Sequence, residues 1–172
     1  LKPSKNTGEP PSLEYDKKQS SGEYSLIHVL SLFLKSNAIA MSTGAIRDLP
    51  ETSYNTFDAV QATNALQVLK FDASFGKLKF RRLFKLNIEN LILFDRSNAA
   101  FLLEQGDGKD SFILTKLEYG EIVSTKISKT ELKAIFNGYA IIAKRKISGS
   151  TDKDDKNWFF GSLAKGKFLY VQ

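Results

Sequence analysis

The stretch from Ala99 to Thr115, AAFLLEQGDGKDSFILT, decides the fold class of this 172-residue chain. Two apolar runs flank a polar segment that contains Gly106-Asp107-Gly108. Glycine and aspartate between two apolar runs are typical of a β-hairpin, because they adopt the backbone angles that tight turns require. The stretch therefore predicts two antiparallel strands joined by a short turn.

Further strands are predicted on both sides of this hairpin. Phe71, Ala73 and Phe75 alternate with smaller or polar residues, as in a half-buried strand. Other short apolar runs are bounded by turn residues such as Tyr119-Gly120, or follow the predicted end of the late helix at Asn137-Gly138. The additional strands are expected at residues 70–75, 91–94, 121–127 and 139–143.

Helices are predicted mainly before the strands. Residues 22–36 carry apolar side chains at three- and four-residue spacing, which indicates one apolar face of a helix. Ser128 and Glu131 fit a capping box, in which each side chain binds a backbone N–H at the start of a helix. The remaining helices are expected at residues 42–47, at a segment capped by Thr56, at residues 77–86, and from the capping box through Phe136. Helices followed by strands, with one late helix, predict an α+β fold with helices packed on an antiparallel sheet.

Composition excludes several kinds of chemistry. The 172 residues contain no cysteine and one histidine, His28. They therefore offer no thiolate nucleophile, disulfide framework or multi-histidine metal site, and neither a metal nor a cofactor is expected. The net charge of +6 permits an acidic partner but does not require nucleic acid.

The chain divides into three parts by composition. Residues 1–20 are polar and proline-rich, which predicts a flexible tail. Residues 21–146 hold the predicted helices and strands and are expected to form one domain. Residues 147–172 begin as a charged linker and continue into an apolar segment with Trp158-Phe159-Phe160.

A basic cluster interrupts the predicted strands between Lys77 and Lys85. Basic side chains interleaved with aromatic ones can bind nucleic acid by neutralising phosphates and stacking on bases. The same pattern also fits a helix with a buried aromatic face and a solvated basic face. The cluster consists of Lys77, Lys79, Arg81, Arg82 and Lys85, with Phe80 and Phe84 between them.

The order of motifs along the chain resembles the N-terminal peptidase-like domain of bacterial type I secretion ABC exporters. That domain is related to the papain-like leader peptidases of bacteriocin exporters, which cut after a double glycine. The segments that carry the resemblance are residues 26–42, 90–94, 99–103, 112–115, 132–142 and 158–161. The resemblance implies a papain-like cysteine-peptidase fold at the cytoplasmic face of the bacterial inner membrane. It also implies that residues 158–161 lead into the first membrane helix of an integral membrane protein.

The resemblance also indicates which residues stand at the catalytic positions. The family's oxyanion Gln precedes its Cys by six residues, and here Gln19 and Ser25 have that spacing. A one-residue shift would instead place Tyr24 at the Cys position. Ala100, directly before Phe101, stands at the position of the family's catalytic His. The position of the family's catalytic Asp falls near Thr115 or Lys116. A hydroxyl group without a neighbouring base is a weak nucleophile, so these replacements imply the loss of peptide cleavage.

Degenerate domains of this kind occur in exporters of RTX-type proteins, and the resemblance implies that this one binds unfolded cargo before ATP-driven export. The remainder of the ABC transporter is the second expected partner. Two alternatives remain: a residual leader peptidase that uses Ser25, and a basic nucleic-acid-binding module. The candidate contact residues are aromatic groups near element ends and basic groups of the cluster, namely Tyr24, Phe75, Phe84, Tyr119, Lys79, Arg81 and Arg82.

Overall fold

The computed structural model describes residues 25–50, 52, 56–86 and 89–146. The predicted tail, Gln19, Tyr24 and the segment 147–172 with its Trp158-Phe159-Phe160 motif lie outside the described residues. No helix in the described part of the chain is long and apolar enough to cross a membrane.

A six-stranded sheet forms the centre of the domain, and every neighbouring pair of strands is antiparallel. The strand order is β1-β6-β2-β3-β4-β5, so the last strand in the sequence lies between the first two. The hairpin expected from residues 99–115 is confirmed as β3 and β4. The strands are β1 (Phe71–Lys77), β2 (Asn90–Asp95), β3 (Ala100–Gln105), β4 (Ser111–Glu118), β5 (Glu121–Ser128) and β6 (Phe136–Arg145).

Helices cover both faces of this sheet. The N-terminal helices are α1, described over residues 25–36, then α2 (Thr43–Arg47) and α3 (Ala59–Val68). The later helices are the single turn α4 (Phe80–Leu83) and α5 (Lys129–Ile135). The α+β fold with N-terminal helices on an antiparallel sheet is therefore confirmed.

Each face of the sheet has its own apolar core. The first core joins α1, α2 and α3 to strand residues such as Phe71, Ile92 and Leu102. The second core joins α4 and α5 to strand residues of opposite parity, such as Leu93 and Leu103. Because successive strand residues point to opposite faces, one set of buried strands supplies both cores. The sequence indicated helices packed on a sheet but did not indicate that they form a separate core on each face.

Several predicted boundaries are wrong, each for a local reason. Asp58 rather than Thr56 caps α3, since its carboxylate accepts from the backbone N–H of Val60 and of Gln61, both at 2.9 Å. The helix expected over residues 77–86 is shorter, because Lys77 still pairs with Tyr139 as part of β1. The predicted last strand over 139–143 is longer, since β6 takes in Phe136 at one end and Arg145 at the other.

Candidate functional site

Ser25 and Ala100 lie side by side, although they are 75 residues apart in the sequence. The backbone N–H of Ala100 donates a hydrogen bond to the Ser25 hydroxyl oxygen, with a distance of 3.2 Å between N and O. Both residues are buried. The structure thus brings together the residues that the family resemblance placed at the nucleophile and histidine positions.

The sheet geometry explains why a serine from α1 reaches this N–H group. The paired register of β3 and β4 covers Leu102–Gln105, and Leu102 lies opposite Thr115. Continued by two residues, that register would place Ala100 opposite Leu117, but no pairing is present there. The N–H of Ala100 therefore has no acceptor on β4 and donates to the Ser25 hydroxyl oxygen instead. This bond matters because a buried N–H without an acceptor costs free energy of folding.

Thr115 lies on the neighbouring strand, on the same face of the sheet as Leu102. Its hydroxyl is buried and lies 2.8 Å from the hydroxyl oxygen of Ser124 on β5. Thr115 stands near the position that the resemblance assigns to the family's Asp, and its side chain has a neutral hydroxyl group in place of a carboxylate. The Ser124 partner was missed at the sequence level, because it depends on the register of β4 and β5.

His28 follows Ser25 by three residues on α1 and is half-buried. Side chains at this spacing are neighbours on a helix surface. The only histidine of the chain is therefore one helical turn from Ser25, a proximity that was not predicted from the sequence.

Phe75 belongs to an aromatic cluster on the sheet face that holds the first core. Its ring stacks on Tyr139, with centroids 5.7 Å apart, and meets Phe94 edge-on at 5.7 Å. The Lys77 ammonium lies 5.8 Å from the centroid of the Tyr139 ring. Phe94 pairs directly with Ala100 across β2 and β3, so this cluster continues to the Ser25–Ala100 contact.

Phe84 lies on the other face of the sheet, beside a cleft of about 430 Å³. The Lys129 ammonium lies over its ring at 4.4 Å from the centroid. Apolar side chains from the end of α4 and from β2, β3 and β4 line the cleft, together with charged side chains that include Lys129 and Asp110. The cleft could accept an apolar side chain from a partner, but it is separated from Ser25 by the sheet.

The basic cluster has an aromatic side that packs on the protein and a basic side that faces solvent, which is the second of the two arrangements that its sequence pattern allows. Phe80 and Phe84 meet edge-on at 5.0 Å and pack against Phe136 and Phe112 respectively. Their aromatic rings are thus turned into the second core. The basic side chains at the same turn, Lys79, Arg81 and Arg82, are exposed.

Tyr119 is fully exposed at the tip of the β4–β5 hairpin. The candidate contact residues therefore do not form one groove. Phe75 lies on one face of the sheet, Phe84 on the other, and Tyr119 at the far hairpin. No group of three or more histidine, cysteine or acidic side chains that could hold a metal occurs within residues 25–50, 52, 56–86 and 89–146.

The sequence pattern of the peptidase C39 family matches residues 14–148, which include every helix and strand described above. No curated protein matches the chain.

Solved structures share the fold at low sequence identity. A double glycine motif protease from an AMS/PCAT transporter, solved with its leader peptide, has a TM-score of 0.59 and 17% identity, and the match covers 70% of this chain and 84% of that one. The peptidase domain of Streptococcus ComA has a TM-score of 0.58 and 18% identity, with 74% and 93% covered. The N-terminal peptidase C39 like domain of a toxin secretion ATP-binding protein from Vibrio parahaemolyticus has a TM-score of 0.57 and 17% identity, with 70% and 96% covered.

Proposed function

The chain belongs to the peptidase C39 family, and we propose that it is the non-catalytic substrate-docking domain of a bacterial type I secretion ABC exporter. In this role it holds an unfolded cargo protein at the cytoplasmic face of the inner membrane before ATP-driven export. Residues 21–146 form the docking domain, and residues 147–172 connect it to the membrane part of the exporter.

The observation that carries this proposal is the contact between Ser25 and Ala100. Ala100 stands next to the hydroxyl group at the nucleophile position, and its methyl side chain has no group that could take a proton. A serine hydroxyl needs an adjacent general base to attack a peptide. The 172 residues also contain no cysteine, so the thiolate of the leader peptidases has no counterpart here.

An unfolded cargo fits the task and the charge of the domain. A folded protein could not pass through a narrow export channel, and many weak contacts allow binding that is readily reversed. The exposed basic groups Lys79, Arg81 and Arg82 would attract an acidic chain. Calcium-binding repeat proteins of the RTX type are such chains when calcium is absent, because their carboxylates are then uncompensated.

A titration followed by NMR tests the docking role. The 15N-labelled 172-residue chain is mixed with the C-terminal repeat segment of an RTX-type protein, kept unfolded by EDTA. We expect concentration-dependent shifts of amide signals, which weaken when calcium folds the segment. The absence of any shift at millimolar segment would contradict the docking role.

The residual-peptidase alternative has one observation in its favour, the position of His28 one helical turn from Ser25. Incubation of the chain with a double-glycine leader peptide, analysed by mass spectrometry, distinguishes the two functions. We expect no cleavage by the unmodified chain. Cleavage that disappears in both Ser25→Ala and His28→Ala would overturn the non-catalytic assignment.

A further inference from the structure

We propose that the outer edge of β5 binds an extended segment of the unfolded cargo as an additional strand of the sheet. This inference rests on the proposed docking function and adds the surface and the binding mode. Pairing with a sheet edge uses backbone hydrogen bonds, so it suits a partner that arrives unfolded and with variable sequence.

The two edges of the sheet differ in how they are covered. At the β1 edge, α3 packs along the strand, and the Gln67 side-chain amide donates to the outward carbonyl of Ala73 at 3.0 Å. At the β5 edge, most side chains are exposed along the whole strand. Proteins usually protect an edge strand with a proline, a bulge or several charges. β5 has no proline, its pairing with β4 is unbroken, and its interior carries one charge, at Lys126.

The hydrogen bonds next to the hairpin show which backbone groups of β5 point outward. Ser111 accepts from Gly106 on the β3 side, and Asp110 accepts from Lys129 on the β5 side. Alternate residues of an antiparallel strand bond to opposite neighbours. The even-numbered residues of β4 therefore bond to odd-numbered residues of β5, which leaves the N–H and C=O of Ile122, Ser124 and Lys126 pointing outward.

The open edge has a defined end. The next outward N–H group, that of Ser128, already donates to the Glu131 carboxylate of the capping box at 2.7 Å. The site therefore covers three outward-facing residues, Ile122, Ser124 and Lys126, and about five residues of a partner strand.

The side chains along this edge indicate which residue types a binding strand should have. Ile122 is 44% exposed, and Ile113, behind Lys126 on the adjacent strand, is 36% exposed. Ser124 and Thr125, between the two ends, are small and polar. A complementary strand has an apolar residue opposite Ile122 and an acidic residue opposite Lys126, four positions apart, because opposite charges across strands attract and like charges repel.

The same charge argues against a second copy of the chain as the occupant. The two-fold pairing that uses the whole open edge is centred on Ser124. It would place Lys126 of each copy against Ile122 of the other copy, so neither ammonium would face a carboxylate. An acidic, extended cargo segment satisfies both positions.

Hydrogen exchange on the whole 172-residue chain tests the proposal, with an EDTA-unfolded RTX-type repeat segment as the probe. In the free chain we expect fast exchange of the outward amides of Ile122, Ser124 and Lys126. The amides of Val123 and Thr125, which bond to β4, should exchange slowly. Saturating probe should slow the outward set to the rate of the inward set. If the probe binds but the outward amides still exchange fast, the edge-strand proposal is overturned and the docking function is not affected.

A matched pair of substitutions at Ser124 provides the second test. Ser124→Pro and Ser124→Ala both remove the hydroxyl that contacts Thr115, but only proline removes the outward N–H. Proline is tolerated on an edge strand where its N–H would face solvent. We expect Ser124→Pro to weaken probe binding about tenfold or more, and Ser124→Ala to bind like the unmodified chain.

Equal affinities of the two variants, with circular dichroism spectra that match the unmodified chain, would overturn the proposal. If Ser124→Pro does not fold, the exchange pattern of the unmodified chain decides alone. Slow exchange of the outward amides without probe, together with a dimer in analytical ultracentrifugation, would assign the edge to a second copy and overturn the proposal. A probe that does not bind the unmodified chain at all contradicts the docking function itself.

Discussion

At the scale of single residues, Ser25 joins α1 to the sheet. Its hydroxyl accepts the N–H of Ala100 where β3 and β4 are no longer paired. Both partners are buried, so this hydrogen bond contributes to the stability of the contact between α1 and β3.

Ser25→Ala should lower the free energy of unfolding by about 1–3 kcal/mol, because the buried N–H of Ala100 loses its acceptor. Urea denaturation measured by circular dichroism gives this value. Ser36→Ala is the control: it also removes a helix hydroxyl with two hydrogen-bond partners, Phe33 and Asn90, but at an exposed site where water can replace them, and it should have a smaller effect. Equal effects of the two substitutions would show that the Ser25–Ala100 contact contributes nothing specific.

Glu131 provides a pH-dependent contribution at the start of α5. Hydrogen bonds from the backbone N–H and the hydroxyl of Ser128 lower the pKa of Glu131 below its ordinary value. A carboxyl group whose pKa is lower in the folded state stabilises the fold above the pKa of the unfolded state. That stabilisation is lost as the pH falls through the lowered pKa.

Ser128→Ala should therefore raise the pKa of Glu131 towards its ordinary value, as followed by the NMR shift of its carboxyl carbon. The loss of the helix cap should also cost about 0.5–2 kcal/mol at neutral pH. Thr130→Ala, in the same turn of the helix but without a capping role, should leave the pKa unchanged. A Glu131 pKa that does not respond to Ser128→Ala would contradict the capping-box explanation.

At the scale of elements, the β4–β5 hairpin has an unusual turn residue. Tyr119 and Gly120 form its two-residue turn with φ of 49° and 85°. This is the type I′ arrangement that usually contains Asn-Gly, because a tyrosine at positive φ is strained by its Cβ atom. Tyr119 is fully exposed and gains no burial in return.

Tyr119→Asn should raise the free energy of unfolding by about 0.5–1 kcal/mol, since asparagine adopts positive φ more readily. Thermal unfolding measures the change, and Tyr119→Phe, which keeps the strain, should be neutral. If Tyr119→Asn also weakens binding of an unfolded RTX-type repeat segment, the tyrosine contributes to docking, as expected from the sequence. A destabilised Tyr119→Asn would show that the ring makes a contact that offsets the strain.

Elements also show how far the sequence could predict this structure. Local signals were sufficient for the hairpin around Gly106-Asp107-Gly108, the capping box at Ser128 and the alternation of Phe71, Ala73 and Phe75. These features depend on neighbours within a few residues. The insertion of β6 between β1 and β2 depends on long-range pairing, and so do the second core and the separation of Phe84 from Phe75. None of these has a local signal.

The features of the candidate site also divide into those that the sequence could predict and those that depend on long-range strand pairing. The family resemblance placed Ser25 and Ala100 at related positions, and the structure brings them into contact. The spacing of motifs carried that information, because it reflects a shared fold. The hydroxyl pair of Thr115 and Ser124 and the open edge of β5 follow from strand register. A shift of one residue in register would turn every side chain of β5 to the opposite face.

At the scale of the whole molecule, one sheet serves two cores, and this predicts that the domain unfolds as a single unit. Leu66→Ala in the first core and Leu132→Ala in the second each empty a fully buried site and should each cost about 2–5 kcal/mol. Because the strands between the cores are shared, both variants should lower the urea midpoint without splitting the transition. Circular dichroism and methyl NMR signals from either core should report the same midpoint, and Val60→Ala, at an exposed site, should leave it unchanged. Separate midpoints for the two cores would mean that the helices on one face of the sheet unfold independently.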